Sequence, residues 1–391
     1  MLYKKITDIN LNNKIVFIRT DMNVPIQNNQ IIDDTRIKAG LKTIEYALKC
    51  NAKVIIATHL GRPVEGSCTE KDSTNIIADR LSKLLGHKIN FIKDFSYGIN
   101  FTDNNIAMLQ NVRCNIGEKQ NSLELGKSYA NLCDVFIHDA FATAHRAESS
   151  TDAIGKYAKE VGAGFLMSSE IDALNKAFTN PKRPIMAIIG GSKISTKLSL
   201  LDKLADNVDY LIVGGGILNT FLLAAGFNVA KSLVETDLVK EAKHIINKME
   251  KRGAAVPLPK DVIVAKECST NAIAINKNID NVNNDDMILD IDSSFAHELA
   301  KIITNCNTII WNGPIGVFEL DQFANGTKII ANAIADSSAF SLAGGGDTIA
   351  AINKFNLYDK ISYISTAGGA LLEFLEGKKL PAISLLEERA Q

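Results

Sequence analysis

Arginine is used sparingly in this chain and in chemically pointed places. Of 43 Lys and Arg residues only nine are Arg, and Arg19, Arg36, Arg62, Arg113 and Arg146 all fall in the first 150 positions beside polar turn residues. The groups are Arg19-Thr-Asp21-Met22-Asn23-Val-Pro25, Arg36, His59-Leu60-Gly61-Arg62-Pro63, Gln-Asn-Val-Arg113 and Asp139-Ala-Phe-Ala142-Thr-Ala-His145-Arg146. A guanidinium presents a planar fork matched to carboxylate and phosphate oxygens, so the set predicts a pocket for a small, highly charged organic acid. Taken singly, Asp21 and Asn23 before Pro25 also read as an Asx turn, and His59 as a packed or capping histidine. His138 and His145 lack a third ligand nearby, which argues against a metal pair.

A second set is built on glycine and lysine. Ile188-Ile-Gly190-Gly191-Ser192-Lys193-Ile-Ser-Thr-Lys197 predicts a strand ending in two glycines and a helix from near Ser192, with Lys193 and Lys197 on one face of its opening turns. Two cations four residues apart at the positive end of a helix dipole are unfavourable, and a bound polyanion such as a nucleotide phosphate turns that penalty into attraction. Gly214-Gly215-Gly216 precedes an apolar helical pattern and allows backbone to approach a flat ligand. Trp311-Asn312-Gly313-Pro314-Ile-Gly316-Val-Phe-Glu319 suits a purine slot with an acid for ribose hydroxyls, or leaves Glu319 as a surface acid. Gly344-Gly345-Gly346-Asp347-Thr348 opens another helix, with Asp347 as its N-cap and within reach of a phosphate-held Mg²⁺. Ser365-Thr-Ala367-Gly368-Gly369-Ala370 offers one more helix start whose amides can receive a transferring phosphoryl group. Neither Gly-x-Gly-x-x-Gly nor the Walker loop is present, which argues against a nicotinamide-dependent oxidoreductase.

These residues need elements to hold them. Apolar runs at Lys14–Ile18, Lys53–Ala57, Ile106–Leu109 and Val135–Ile137, then at Ile185–Ile189, Tyr210–Val213, Thr308–Ile310, Phe340–Ala343 and Ile361–Ile364, each precede turn residues and a helix-period segment. That is how parallel sheets with crossover helices read, so the fold class is α/β. Ligands of open α/β sheets sit beyond the carboxyl ends of strands, and the two series end in different chemistry, so two sites on two sheets are expected. Between them Phe165–Phe178 reads as one helix followed by a stop at Thr179–Pro184, a stiff connector. The Asn-rich stretch Asn276–Asn284 reads as a surface loop.

At 391 residues, 46% hydrophobic and 22% charged, the chain is expected to form two globular lobes. A net charge of -1 excludes the basic footprint of a general nucleic-acid binder. The six cysteines are widely spaced, which suggests neither a zinc site nor a disulfide framework and fits a reducing compartment. With no signal-peptide pattern and no run of roughly 18 apolar residues, a cytoplasmic protein with no membrane partner is expected.

With these stretches laid out, the chain resembles the phosphoglycerate kinase family over essentially its whole length. Arg19–Pro25, His59–Pro63, Asp139–Arg146, Gly190–Leu198, Gly214–Gly216, Trp311–Glu319, Gly344–Thr348 and Ser365–Ala370 follow the family's order and spacing. The resemblance implies two Rossmann-like, doubly wound parallel-sheet lobes joined by a hinge helix. It implies a phosphoglycerate-binding domain over 1–168, a nucleotide-binding domain over 169–371 that includes the connecting helix, and a segment, 372–391, returning to the first domain. The implied reaction is reversible, direct in-line phosphoryl transfer between 1,3-bisphosphoglycerate and ADP, giving 3-phosphoglycerate and Mg-ATP on hinge closure of a monomer. Asp21, Met22, Asn23, Arg36, His59, Leu60, Gly61, Arg62, Arg113 and Arg146 would hold the phosphoglycerate. Lys193, Lys197, Gly214, Gly215, Asn312, Pro314, Glu319, Gly345, Gly346, Asp347 and Thr348 would hold the nucleotide, with Asp347 toward Mg²⁺. Arg36 and Lys197, from opposite lobes, and the amides of Gly368 and Gly369 would serve the moving group. The acceptor carboxylate is ionised at neutral pH, so no general base is required. Arg36, Lys197 and Asp347 are all retained, which a non-catalytic relative recruited for binding would be free to lose. Three positions depart from the family pattern: Ala142 and Ala367 stand for Gly, and Cys114 stands for Phe, expected as a packing change.

Overall fold

The computed structural model describes residues 2–101 and 105–390. Contact density divides the chain into two compact units, Met1–Asp172 together with Lys379–Gln391, and Ala173–Lys378, against expected breaks at 168 and 371.

The first unit is built on six parallel strands in the order Asn90–Ile92, Ile106–Leu109, Lys53–Ala57, Ile15–Thr20, Val135–Asp139, Glu160–Ala163. The central strand Ile15–Thr20 sets Ile18 opposite Ile56 on one side and Ile137 on the other. Both faces of such a strand are covered, which is why it reads as an unbroken apolar run instead of an alternation. Helix Thr35–Lys49 turns Ile37, Gly40, Ile44 and Ala47 inward at the three-to-four-residue spacing of one helical face. Ile37, Ile44 and Ala47 join Val16, Ile18, Val54 and Ile56 in one core. Helix Pro381–Glu388, with proline in its first turn, completes this unit. Leu385 lies against Gly155, the Ala382 amide donates to the Ala144 carbonyl at 3.1 Å, and Arg389 Nη2 donates to the Ala158 carbonyl at 2.7 Å.

The second unit carries five parallel strands in the order Tyr210–Gly214, Ile185–Gly191, Thr308–Asn312, Phe340–Gly344, Tyr363–Ser365. A separate antiparallel sheet places Asp261–Ala265 between Ile275–Asn278 and Met287–Ile291. The Asn-rich stretch is therefore not simply a loop: Ile275–Asn278 is an edge strand, followed by a 3-10 turn Ile279–Asn281. The expected single helix over 165–178 is α-helical only over Phe165–Leu174 and widens to a π turn over Asn175–Thr179. Among the described residues no helix is long and apolar enough to cross a membrane.

Candidate active site

In the first unit the strands Ile106–Leu109, Lys53–Ala57, Ile15–Thr20 and Val135–Asp139 are lateral neighbours, so the polar groups beyond their carboxyl ends stand side by side. Arg19 is fully buried. Its Nε donates to Ser150 Oγ at 2.8 Å, one Nη donates to the Thr20 carbonyl, and the other lies 3.4 Å from His59 Nδ1. Arg36, on the helix Thr35–Lys49, donates to Asp21 Oδ2 at 2.8 Å. Arg113 reaches the Gly61 carbonyl at 2.9 Å and Glu148 at 3.5 Å, and Arg146 lies 4.0 Å from the same Glu148 oxygen. Asn23 Oδ1 accepts from the Gly61 amide at 3.0 Å, which ties the first cluster to the loop carrying Arg62. The imidazole of His59 is held well below its usual pKa, first by burial and then by Arg19, Arg113, Arg146 and Arg36. Four guanidinium groups thus act on one neutral ring, and the 3.9 Å approach of His59 to Asp21 is not an ion pair. Arg62, Arg113, Lys119, Arg146, Ala147 and Glu148 line a cavity of about 520 Å³. An assembly with this excess of fixed positive charge suits a polyanion carrying carboxylate and phosphate.

In the second unit the five parallel strands bring Gly214, Gly190, Asn312, Gly344 and Ser365 to one sheet edge. Lys197 Nζ spans two of them, donating to the Gly190 carbonyl at 2.6 Å, the Asn312 carbonyl at 3.1 Å and Asn312 Oδ1 at 2.6 Å. Burial pushes this ammonium down to about 8, opposed by the charge of Asp347. Asn312 Nδ2 donates to the Gly344 carbonyl at 2.7 Å, and Thr348 Oγ1 accepts from the Gly313 amide at 2.7 Å. The lysine, the Asn312 turn and the Gly344–Thr348 turn are therefore one hydrogen-bonded constellation, able to place a cation and several amides around phosphate oxygens.

A family model described as phosphoglycerate kinase matches residues 6–378. The chain belongs to the phosphoglycerate kinase family. A solved structure of phosphoglycerate kinase from Coxiella burnetii is similar at 48% identity and a TM-score of 0.97, with all of both chains covered. One of phosphoglycerate kinase from Pyrococcus horikoshii OT3 is similar at 32% identity and a TM-score of 0.80, with 99% of each chain covered. As a phosphoglycerate kinase family member, the chain is a phosphotransferase with a carboxyl acceptor, moving a phosphoryl group between 1,3-bisphosphoglycerate and ADP to give 3-phosphoglycerate and ATP. Its two Rossmann-like lobes are those of the family.

Within that phosphoglycerate kinase frame, several expected residues sit differently from the sequence reading. Met22 and Leu60 are core side chains whose main chain is itself engaged: the Met22 amide donates to Thr58 Oγ1, and Asn111 clamps the Leu60 amide and carbonyl, so both residues support the pocket from behind. The helix expected near Ser192 begins at Leu198, with Lys197 as its N-cap residue. The preceding segment is a turn held by Glu235, which accepts from the Ser195 amide and hydroxyl at 2.8 and 2.6 Å, so Lys193 is exposed and does not share helical turns with Lys197. Asp347 stands exposed in the first turn of helix Gly346–Lys354, and Gly345 is the N-cap. Glu319 is exposed on the turn after Phe318. A Cβ at Gly190 or Gly214 would overlap the Pro314 carbonyl, so these glycines serve backbone packing, whereas open space surrounds Gly346 and Gly368.

The departures from the family pattern also resolve. Ala142 lies in the 3-10 turn Phe141–Thr143, and Ala367 has φ -89°, so neither site needs a glycine backbone. Cys114 is not merely packed, as expected of it: it forms a disulfide with Cys68, although the cysteine spacing suggests no disulfide framework. That pairing is made by two strand-end loops meeting in space, and residue spacing carries no sign of it. Buried Glu118 and Ser150, and the cavity-lining Lys119 and Glu148, escaped notice in the sequence because they belong to no motif there.

Proposed function

We propose that Asp21, Asn23, Arg36, His59, Gly61, Arg62, Arg113 and Arg146, backed by the buried Met22 and Leu60, bind the phosphoglycerate, and that Lys193, Lys197, Gly214, Gly215, Asn312, Pro314, Glu319 and Gly345–Thr348 bind the nucleotide. The observation that carries this reading is the convergence of Arg19, Arg36, Arg113 and Arg146 on the neutral ring of His59. Phosphoryl transfer to a carboxylate needs in-line positioning and neutralisation of the equatorial oxygens, with no proton to remove. Arg36 and Lys197 each carry a cation that can meet those oxygens, and the amides of Gly368 and Gly369, exposed at the start of helix Gly368–Leu375, share the charge. Nucleotide and phosphoglycerate must come within bonding distance for direct transfer, and hinge closure that expels water is the motion assigned to that step.

The nucleotide is taken as its Mg²⁺ complex. Among the described residues no group of three or more His, Cys, Asp or Glu side chains is placed to hold a metal ion, and Asp347 alone presents a carboxylate at the Gly345–Thr348 turn. That donor set fits an ion held chiefly by phosphate oxygens, with Asp347 as its protein partner. When bound, Mg²⁺ supplies further neutralisation of phosphate charge. The protein acts in the cytoplasm as a monomer, with neither a nucleic acid nor a membrane as partner.

A coupled assay with 3-phosphoglycerate, Mg-ATP and hydroxylamine as acyl-phosphate trap tests the assignment. Arg36→Ala and Arg146→Ala are expected to raise KM for 3-phosphoglycerate by about tenfold or more, as loss of a charged hydrogen bond does, with KM for Mg-ATP unmoved. Equal effects on both substrates, or none, would remove these arginines from the phosphoglycerate pocket.

A further inference from the structure

Cys68 and Cys114 are bonded to each other with Cα atoms 5.3 Å apart and 46 residues of chain between them. Each is carried by a segment that also carries an arginine of the anion pocket. Cys114 directly follows Arg113 in the 3-10 turn Val112–Cys114, and Cys68 closes the loop that carries Arg62 beyond the strand Lys53–Ala57. The two segments are also laced by hydrogen bonds. The Gly66 amide donates to the Cys114 carbonyl at 2.8 Å, and the amides of Gly117 and Lys119 donate to the Glu65 carboxylate at 3.0 and 2.8 Å. Lys119 Nζ reaches the Pro63 carbonyl at 3.3 Å. The disulfide is thus the covalent member of the contacts that hold Arg62, Arg113 and Lys119 on one cavity wall.

Access and chemistry agree. Cys68 is exposed and Cys114 is half-buried, so a thiolate from solution can approach the Cys68 sulfur. The remaining cysteines, Cys50, Cys133, Cys268 and Cys306, are unpaired. Disulfides that form in reducing compartments are characteristically exchangeable ones, and exposure is what makes them so.

We propose that Cys68–Cys114 is a thiol–disulfide exchange site whose oxidation state sets the pocket's affinity for phosphoglycerate; this rests on Arg62 and Arg113 being phosphoglycerate ligands. In the reducing direction a dithiol reductant attacks the Cys68 sulfur as its thiolate, the bond to Cys114 breaks, and Cys114 leaves as a thiolate that takes a proton. The second thiol of the reductant then displaces Cys68, so two electrons and two protons pass to the protein and the reductant becomes a disulfide. An organic disulfide such as oxidised glutathione reverses the sequence. With the bond cut, the Arg62 loop keeps only its hydrogen bonds, and binding must then order a freer loop.

The test uses the full chain purified without reductant. Thiol titration under denaturing conditions is expected to find four free cysteines, rising to six after dithiothreitol. Dithiothreitol is expected to raise KM for 3-phosphoglycerate threefold or more without changing KM for Mg-ATP, and oxidised glutathione to restore it. Cys68→Ser and Cys114→Ser, alone or together, are expected to hold the reduced value in both conditions. Six free thiols even after oxidised glutathione, or a KM indifferent to reduction while Arg62→Ala raises it, overturns the exchange site alone. A KM unmoved by Arg62→Ala overturns the pocket assignment of Arg62, and the proposal with it.

Discussion

At the scale of single residues, the informative groups are those whose protonation the fold has shifted. Lys197 has an ammonium pushed down to about 8 by burial, and all three of its hydrogen-bond partners are neutral carbonyl or amide oxygens. The charged form neutralises phosphate, so activity is lost as pH rises through that value. In the free enzyme, kcat/KM for Mg-ATP is expected to be level near neutrality and to bend downward above about pH 8. Lys197→Ala is expected to lower kcat by about 10²-fold or more and to abolish the bend. A bend that persists in the variant assigns the titration to another group. Glu118 is the complementary case. It is fully buried, accepts from Ser150 Oγ at 2.5 Å, and burial raises its pKa to about 7. A carboxyl raised above its unfolded value stabilises the fold fully below the unfolded pKa and loses that contribution as pH rises through the folded pKa. From about pH 4.5 to 8 the wild type should therefore lose on the order of 3 kcal/mol relative to Glu118→Gln. Urea titrations of both proteins across that range measure the difference, and parallel pH profiles would show that folding leaves the Glu118 pKa where it is in the unfolded chain.

At the scale of elements, the C-terminal helix Pro381–Glu388 connects stability with the site. Leu385 is 2% exposed and fills the space left by Gly155, while the Ala382 amide holds the Ala144 carbonyl just before His145 and Arg146. Leu385→Ala is expected to cost roughly 2–4 kcal/mol, the range of buried leucine truncation, read as a lower urea midpoint for the first unit. A midpoint within error of wild type would mean the helix is not integral to that core. Elements also mark the limit of what the sequence disclosed. The strands buried on both faces, such as Lys53–Ala57 and Ile106–Leu109, were legible as apolar runs. Asn90–Ile92 and Glu160–Ala163 were not, because three- and four-residue edge strands carry too few apolar positions to form a pattern. Ile275–Asn278 is mostly exposed and polar, and only its pairing with Asp261–Ala265 makes it a strand. The candidate site divides the same way. Arginines and glycines at strand ends announced themselves by residue type, whereas the structural use of Gly190 and Gly214 against Pro314 is a fact of tertiary approach.

At the scale of the whole molecule, a chain of net charge -1 concentrates its anion-binding chemistry at the strand ends of two separately cored units. Each unit holds a complete hydrogen-bonded constellation of its own, so each ligand should act first on its own unit. Ligand that binds only the native form protects what it touches from opening, by an amount set by its concentration over Kd. In amide hydrogen exchange, 3-phosphoglycerate alone is therefore expected to slow residues 19–23, 58–62 and 111–119, leaving 190–197, 312–319 and 344–348 as in the free protein. Mg-ADP alone is expected to do the reverse. If the units close together for direct transfer, only the two ligands together should also lower the radius of gyration in solution scattering. Exchange that slows in both units with either ligand alone would mean that binding is already coupled before the second substrate arrives. A scattering profile unchanged with both ligands bound would remove closure from the mechanism.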